Sequence, residues 1–388
     1  MLKKHKTLKE NMAKHNVLML DGDGIGPELM SEAIGVLEAV NDRYAHGIGF
    51  RHEPFGAEAY FKHNKCFPDE ARKLVQNYTE GSGDYDAILK GPVGLDKAGS
   101  ERLRAAGVKL EADTVIDLRR ILDSYACYRP VFLPKQFASF SPLRPEIVGE
   151  GIDMLMMREL TGGIYFGKKT EGKDTGMKYS FDDCTYTREQ VERFAHVCFR
   201  EAEQRGVKLT NIHKANVKAT GRFWKAIFDE VSKQYPNVKL EECLVDSFAT
   251  GLCTNPTRYN GVIALENMEG DIITDQAGGI IGSLGLMPSA CWNPETRKGY
   301  FEPSHGSAPD IARQNKANPY SMIGSVAYML DMAFGMKQES KAVWDALIKV
   351  FADGYRTSEL ANPKTPSRKV VSTTDFGKLV VKNILEGK

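Results

Sequence analysis

The sequence predicts an α/β protein built from two domains. Short apolar runs of strand length, at residues 17–20, 154–157 and 261–265 among others, alternate with stretches whose apolar residues recur at helical spacing, as at 29–40 and 187–205. This alternation is typical of α/β architectures. The chain of 388 residues also exceeds the ~250–300 residues at which a single hydrophobic core stops growing, so two domains are expected.

The first predicted strand leads into a glycine-rich loop and then a helix. The apolar run at 17–20 is followed by Asp21-Gly-Asp-Gly-Ile-Gly-Pro-Glu28, and the helical pattern begins at Leu29. A glycine loop between a strand and a helix is typical of phosphate-binding loops. This loop lacks the full GxGxxG spacing and contains an acid, so alone it is a weak indication of a nucleotide site.

A polar stretch with interspersed aromatic residues, 163–186, follows the predicted strand at 154–157. Its glycine, lysine and aspartate content predicts an extended hairpin. An arm of this kind could exchange with a second subunit.

The composition favours small-molecule partners. The 52 Lys and Arg nearly balance the 51 Asp and Glu, and no basic block with interleaved aromatics follows the first sixteen residues, which argues against nucleic acid as a partner. No run is long enough to span a membrane, and the basic start lacks the apolar stretch of a signal peptide. The seven cysteines show no CxxC spacing, which favours a reducing, cytoplasmic setting.

Two carboxylates form a candidate metal site. Asp271 and Asp275 stand one helical turn apart in a segment of mostly apolar and small residues. Two anions held together in such surroundings suit a hard divalent cation. An ordinary solvated helix face is the alternative that the spacing leaves open.

Three arginines form a candidate anion site. Arg119 and Arg129 frame an amphipathic helix and its end, and Arg158 closes a predicted strand just before Gly162-Gly163. Each one alone is typical of a solvated surface. Together they could clamp a di- or tricarboxylate, because the planar guanidinium binds carboxylates in bidentate fashion.

A second loop rich in small and turn-forming residues lies near the C-terminal third of the chain. It runs over residues 301–310 and is followed by Asn318-Pro319. Such a loop is suited to close approach to a ligand.

Several of these motifs, taken in order, resemble the metal-dependent β-decarboxylating dehydrogenases that act on isocitrate, isopropylmalate, homoisocitrate and tartrate or malate. The motifs are Arg158-Glu-Leu-Thr-Gly-Gly-Ile-Tyr165, His213-Lys-Ala-Asn-Val217, Val245-Asp246, Asp271-x-x-x-Asp275 and His305-Gly-Ser-Ala-Pro-Asp310. The resemblance runs from about Val17 to near Leu379. It implies an isopropylmalate dehydrogenase-like two-domain fold with the active site in an interdomain cleft and dinucleotide binding of a non-Rossmann kind.

The resemblance also implies a domain division. The first, cofactor-binding domain is expected to hold residues 1–124 and 282–388. The second is expected to hold 125–281, with 163–186 as a dimerisation arm.

The resemblance assigns roles to the site residues. Arg119, Arg129 and Arg158 match the arginines that hold the two carboxylates common to the family's substrates. Asp271 and Asp275 match its metal ligands, and Asp246 matches a third that comes from the other subunit. Since all three ligands are oxygens, Mg²⁺ or Mn²⁺ is expected. Lys214 matches the residue that takes the hydroxyl proton and likewise crosses from the partner, and Tyr165 matches the one that protonates the enol, so a homodimer or higher homo-oligomer is expected.

The cofactor implied by the resemblance is NAD. The loop matching the family's adenosine site carries Asp310-Ile311 where members that prefer the phosphorylated cofactor have basic and tyrosine side chains. A carboxylate accepts hydrogen bonds from ribose hydroxyls and repels a 2′-phosphate. The residues expected to bind NAD are Ile25, Asn216, His305, Gly306, Ser307, Ala308, Pro309, Asp310, Ile311 and Asn318.

The substrate implied is a 2-hydroxy di- or tricarboxylic acid that undergoes NAD-dependent oxidative decarboxylation. The favoured reaction is 3-isopropylmalate to 2-ketoisocaproate in leucine biosynthesis, with a specificity pocket formed by Glu111, Val115, Ile116 and Val217. Asp113 stands where isocitrate enzymes have a residue that binds a third carboxylate. It could bind a substrate hydroxyl, which would favour a tartrate-like acid, or it could cap a helix.

Isocitrate, homoisocitrate and tartrate or D-malate remain alternative substrates. A non-catalytic regulatory subunit of the same fold is an alternative of another class. The acid–base and metal-site residues Tyr165, Lys214, Asp246, Asp271 and Asp275 are all present, which favours an active enzyme.

Overall fold

The computed structural model describes residues 15–387, so the basic residues 1–14 lie outside the described part of the chain. Its strands are β1 His15–Leu20, β2 Ile48–Glu53, β3 Ala87–Lys90, β4 Ala126–Pro134, β5 Gly151–Glu159, β6 Lys169–Thr170, β7 Phe181–Asp182, β8 Leu209–His213, β9 Leu240–Leu244, β10 Gly261–Leu265, β11 Pro288–Asn293 and β12 Lys298–Pro303. Its α-helices are α1 Gly26–Tyr44, α2 Ala57–His63, α3 Asp69–Glu80, α4 Lys97–Ala105, α5 Asp117–Leu122, α6 Pro145–Val148, α7 Arg188–Arg205, α8 Ala219–Ser232, α9 Val245–Thr254, α10 Asn267–Ile281, α11 Tyr320–Met332, α12 Lys337–Ala352 and α13 Thr373–Glu386. The α/β class predicted from the sequence is confirmed.

The described chain divides into two compact units. One holds the residues up to Leu118 together with those from Tyr300 onward, and the other holds Arg119–Gly299. The sequence places the domain boundaries after residues 124 and 281, whereas this division follows the pairing of β11 with β4, which keeps residues 288–293 in the second unit. The assignment of cofactor and dimerisation roles to these domains stays a prediction.

The first unit is built on four strands in the order β2-β1-β3-β12. β1 pairs in parallel with β2 and β3, and β12 pairs in parallel with β3. Parallel strands are covered on both faces and therefore have continuous apolar runs. Val17, Leu18, Met19 and Leu20 of β1 are all fully buried, which explains why this strand could be predicted.

The second unit is built on six strands in the order β11-β4-β5-β10-β8-β9. The β11–β4 and β4–β5 pairs are antiparallel, and the β5–β10, β10–β8 and β8–β9 pairs are parallel. Helix α7 starts in a capping box formed by Thr187 and Gln190, which satisfies free amides of its first turn. Helix α10 starts where the Glu266 side chain accepts a hydrogen bond from the Glu269 amide, directly after β10.

The predicted hairpin is present in the second unit. β6 and β7 pair antiparallel, with Lys169 opposite Asp182 and Thr170 opposite Phe181. Aromatic and apolar side chains at its tip face solvent, with Met177 82% and Tyr179 61% exposed. Its exchange with a second subunit stays a prediction.

The prediction that Arg129 marks the end of a helix is wrong. Helix α5 ends at Leu122, Asp123 adopts a left-handed conformation, and Arg129 lies in the middle of β4 opposite Met156 of β5. The long-range pairing of β4 with β5 overrides the local helical pattern around Leu118, because a central strand gains its ladder bonds from distant segments.

No helix among residues 15–387 is both long and apolar enough to cross a membrane. All seven cysteines are free thiols.

Candidate active site

Arg158 is fixed at the end of β5 by the first residue of α10. Its side chain is 1% exposed, its Nε donates to the Asn267 carbonyl oxygen at 2.8 Å, and its Nη2 donates to Asn267 Oδ1 at 2.9 Å. Its Nη1 forms an ion pair with Asp271 Oδ1. Asn267 binds two of the three guanidinium nitrogens. The third nitrogen, Nη1, is thereby directed towards the carboxylate of Asp271, one turn further along α10.

Tyr165 is presented to the same carboxylate by a fixed turn. Glu159 accepts hydrogen bonds from the Thr161 amide at 2.7 Å and the Gly162 amide at 2.8 Å, which orders the chain after β5. The Tyr165 hydroxyl donates to Asp271 Oδ2 at 2.9 Å, and Arg158 Cζ lies 5.7 Å from the centre of its ring. Burial, together with the Asp271 charge, raises the pKa of Tyr165, so the phenol keeps its proton at neutral pH.

The two aspartates of α10 differ in their electrostatic surroundings. Burial acts to raise the pKa of Asp271, but the charges of Arg158 and Arg129 outweigh it and hold that pKa below its usual value. Burial raises the pKa of Asp275, with the Asp271 charge adding to the rise and Arg129 opposing it. The Asp275 side chain is 53% exposed, so this pair can accept a ligand from solvent.

Arg129 and Arg119, together with Arg158, form a cluster of positive charge near the two aspartates. Arg129 Nη1 donates to Thr274 Oγ1 at 2.6 Å and lies 3.7 Å from Asp275 Oδ1. After burial, the charges of Arg119 and Arg129 are the next causes that lower the pKa of Arg158. Three mutually repelling guanidiniums near one another favour an anion with more than one carboxylate.

Lys214 and Asp246 form a second, separate pair. Lys214 follows β8, Asp246 lies in the first turn of α9, and Lys214 Nζ donates to Asp246 Oδ1 at 2.6 Å. The hydrogen bond from Lys214 holds the pKa of Asp246 below its usual value. Within residues 15–387 no group of three or more His, Cys, Asp or Glu side chains could hold a metal ion, so one chain does not bring Asp246 together with Asp271 and Asp275.

In the first unit the glycine-rich loop packs against the loop that follows β12. The Ile25 amide donates to the Ser307 carbonyl oxygen at 2.9 Å. Gly24 has φ +58°, and a Cβ there would lie 2.1 Å from the same oxygen. The Asp23 carboxylate accepts hydrogen bonds from the amides of Ala57, Glu58 and Gly94 at 2.8–2.9 Å, so the acid in this loop organises its own backbone. The loop is therefore a rigid platform.

The predicted NAD residues of the second loop differ in burial, from the buried Ser307 to the exposed Gly306, Pro309 and Asp310. Ala308 adopts a left-handed conformation and starts a short 3₁₀ turn at Pro309–Ile311, on which Asp310 is exposed. Burial lowers the pKa of His305, so its ring is neutral at pH 7. Asn318 is buried and its side chain accepts from the Tyr320 amide at 3.0 Å.

The predicted substrate-selecting residues of the first unit lie on one π-helical turn, Ala112–Ile116, which Glu111 precedes. Val115 and Ile116 are half-buried there. Asp113 is exposed, and its Oδ2 accepts from the Lys109 amide four residues before it at 3.0 Å, so its side chain bonds back to the start of this helical segment. In the second unit Asn216 and Val217 are exposed on the turn after Lys214, where Val217 is 69% exposed.

Two residues that orient the site were not predicted. Asn267 holds the Arg158 guanidinium, and Thr274 holds that of Arg129. Both lie on α10, four residues before Asp271 and three after it, which places them near the same helix face. The spacing of Asn267 and Thr274 from Asp271 is the feature of the sequence that could have predicted their place beside the site.

Comparison with known proteins gives consistent matches along the chain. A family model described as isocitrate/isopropylmalate dehydrogenase matches residues 16–380. The chain is 38% identical over 370 residues to a 3-isopropylmalate dehydrogenase of Clostridium acetobutylicum, covering 95% of this chain and 99% of that protein. It is 39% identical over 372 residues to a 3-isopropylmalate dehydrogenase of Carboxydothermus hydrogenoformans, covering 96% and 95%. A crystal structure of an isocitrate dehydrogenase from Methylococcus capsulatus superposes with a TM-score of 0.80 at 26% identity, covering 96% of this chain and 99% of that one.

Proposed function

Since the chain belongs to the isocitrate/isopropylmalate dehydrogenase family, we propose that it catalyses the NAD-dependent oxidative decarboxylation of 3-isopropylmalate to 2-ketoisocaproate, a step of leucine biosynthesis. The observation that carries this proposal is the arrangement around Asp271. A buried arginine and a protonated tyrosine converge on the two oxygens of one carboxylate. In this proposal Asp271 would bind the cation, Arg158 a substrate carboxylate, and Tyr165 would donate the proton.

The donor set fits a hard divalent cation. Asp271 and Asp275 offer carboxylate oxygens one turn apart on α10. The arginine charges hold the pKa of Asp271 below its usual value, whereas burial raises the pKa of Asp275, so the charge of Asp275 is the one that the surrounding protein stabilises less. Oxygen donors of this kind suit Mg²⁺ or Mn²⁺. Asp271 and Asp275 of one subunit, with Asp246 of another, would hold the ion. When bound, the cation would polarise the substrate oxygen and NAD would accept the hydride.

The chain's own residues supply binding and proton transfer. The guanidiniums of Arg119, Arg129 and Arg158 would hold the two carboxylates of the hydroxy acid. Lys214 Nζ would take the proton of the substrate hydroxyl. The Tyr165 hydroxyl, which donates to Asp271 Oδ2 in the protein alone, would give its proton to the carbon that has lost carbon dioxide.

The position of Lys214 and Asp246 supports shared sites in a homodimer. This pair forms its own ion pair within the chain, and the part of the chain that the structure describes contains no three-residue metal cluster. We propose that Lys214 and Asp246 complete the site of a partner subunit. The exposed tip of the hairpin, with Met177 and Tyr179 in solvent, supports a role for that arm in the dimer.

The choice of NAD is supported by Asp310. Its carboxylate is exposed on the turn that starts at Ala308, where a 2′-phosphate would be repelled and ribose hydroxyls would find an acceptor. The rigid contact between Ile25 and Ser307 supports the same surface as the cofactor platform.

The choice of 3-isopropylmalate is supported by relatives that carry that activity in their names, by the apolar character of Val115 and Ile116, which follow Glu111 in the chain, and by that of Val217. The bond from the Lys109 amide to Asp113 Oδ2 supports a structural role for this carboxylate. The free state of all seven cysteines fits a reducing compartment such as the cytoplasm.

The test is an assay of NADH formation with Mg²⁺ or Mn²⁺ that compares 3-isopropylmalate, isocitrate, homoisocitrate, D-malate and tartrate. We expect the highest kcat/KM with 3-isopropylmalate, and a preference for NAD over NADP that is reduced in the D310K variant. The D271N variant is the inactive control. A higher kcat/KM with another acid would overturn the substrate assignment, and no turnover with any acid would overturn the proposed activity.

A further inference from the structure

Lys218 ends the turn that presents Lys214 and directly precedes α8. The amides of Val217 and Lys218 donate to the Lys214 carbonyl oxygen at 3.2 and 2.8 Å. Gly221 packs against this turn so closely that a Cβ would lie 2.8 Å from the Lys214 carbonyl carbon. Any movement of Lys218 is therefore passed on to the backbone of Lys214.

The Lys218 side chain spans from this turn to the beginning of α10. Its Nζ lies 3.1 Å from Glu269 Oε1 and 3.3 Å from Glu266 Oε1. Glu266 also accepts from the Glu269 amide at 3.0 Å and from the Tyr186 hydroxyl at 3.0 Å, so it is fixed to the helix start. The ion pairs thus join the Lys214 turn to the helix that carries Asp271 and Asp275.

The surroundings make this link strong. Glu266 and Glu269 are only 4% and 7% exposed, and the side chain of Lys218 is 25% exposed. Two carboxylates so close together and so poorly hydrated require a cation nearby, and removing it leaves buried charge uncompensated. Lys218 meets that requirement directly.

The cluster is too small to be a ligand site. The cavity that Lys214, Lys218, Glu266 and Glu269 line together has a volume of about 10 Å³. A single water molecule needs at least about that much space, so no substrate or cofactor fits. The charges therefore serve to hold the surrounding elements in place.

We propose that Lys218 is a positioning residue for Lys214. Its ion pairs with Glu266 and Glu269 fix the Lys214 turn to α10 of the same chain, and thereby set the direction in which Lys214 Nζ projects towards the substrate hydroxyl in the partner subunit's site. This inference rests on the proposed function, in which Lys214 takes the hydroxyl proton.

The test compares the K218M variant with K225M and K218R. Lys225 lies on α8, the helix that Lys218 precedes, and pairs with Asp229 at 2.6 Å on the surface. The K225M variant therefore removes an equivalent charge without affecting the ion pairs of Lys218 with Glu266 and Glu269. For K218M we expect kcat to fall about 10- to 100-fold, because small misplacements of a reacting group cost that much. KM for the hydroxy acid and for NAD should stay close to those of the unaltered protein, K218R should recover most of the kcat, and K225M should leave it unchanged.

A second readout does not depend on turnover. Hydrogen exchange of the amides at positions 217 and 218 is measured in the protein without added metal or NAD, where K218M should exchange faster and K225M should not. Unchanged exchange in K218M, or faster exchange with an unchanged kcat, would overturn the proposal. If the unaltered protein turns over no hydroxy acid, the proposed function fails, and the exchange data alone decide whether Lys218 holds the turn. If K218M does not fold, the E269Q variant replaces it. E269Q should then show a smaller fall in kcat and a smaller increase in exchange at positions 217 and 218, and the absence of both changes overturns the proposal.

Discussion

Mixing two inactive variants should restore activity if the catalytic site is shared between subunits. The K214M variant loses the proposed base, and the D271N variant loses a carboxylate that pairs with the buried Arg158. K214M should fall to about 1% of the activity of the unaltered protein or less, because removing a general base costs on the order of 100- to 10,000-fold. D271N should lose at least as much, because it removes a proposed ligand of the cation that polarises the substrate. The structure places Lys214 with Asp246 and places Asp271 with Arg158 and Tyr165, so the two substitutions affect different half-sites.

The expected recovery follows from the symmetry of a dimer. In a random mixture about half of the dimers carry one subunit of each kind, and in these one of the two sites contains neither substitution. The mixture should therefore recover about a quarter of the original activity when both variants are refolded or expressed together. Separately tagged chains allow the mixed dimer to be purified and assayed by NADH formation. Activity of the mixed dimer no higher than that of the two parents would refute shared sites.

Three further substitutions test separate parts of the account. Replacing Tyr165 with Phe removes the hydroxyl 2.9 Å from Asp271 Oδ2, and kcat should fall on the order of 100-fold or more, whereas an unchanged kcat would exclude it as the proton donor. The G24A variant would place a Cβ 2.1 Å from the Ser307 carbonyl oxygen at φ +58°, and strain of about 1–3 kcal/mol should raise KM for NAD about tenfold; an unchanged KM would show that this loop takes no part in cofactor binding. Burial raises the pKa of Glu32 to about 7 in the folded protein. The contribution of Glu32 to the free energy of unfolding is therefore fully present below the pKa of the unfolded chain and is lost as pH rises through about 7. In urea unfolding E32Q should therefore be more stable than the unaltered protein by about 1–2 kcal/mol at pH 8, after allowance for solvent screening, and equally stable at pH 4, and a difference independent of pH would contradict this reasoning.

The elements that could be predicted from the sequence are those whose pattern is local. Residues 17–20 of β1 and the whole of β10 are short, buried runs. Helix α7 has its apolar periodicity and its cap, Thr187, in adjacent stretches of sequence. The pair Asp271 and Asp275 could be placed on one helix face because their spacing alone determines it. These features need no information from distant segments.

The misplacement of Arg129 has the opposite cause. β4 is held by ladders to β5 and β11, which are far away in sequence, and no local pattern reveals that pairing. The same applies to the boundaries between the two compact units, since residues 288–293 pair with β4 of the second unit, about 160 residues earlier in the chain. The link from Lys218 to Glu266 and Glu269 also joins segments about fifty residues apart, so the sequence alone shows three unremarkable charged residues.

The most direct test of the proposed activity measures two products at once. Purified protein is incubated with 3-isopropylmalate, NAD and Mg²⁺, and NADH and released carbon dioxide are quantified together, with and without EDTA. The account predicts equal amounts of both products, loss of both in EDTA and loss of both in the D271N variant. Formation of NADH without carbon dioxide, or turnover that persists in EDTA, would contradict metal-dependent oxidative decarboxylation at Asp271.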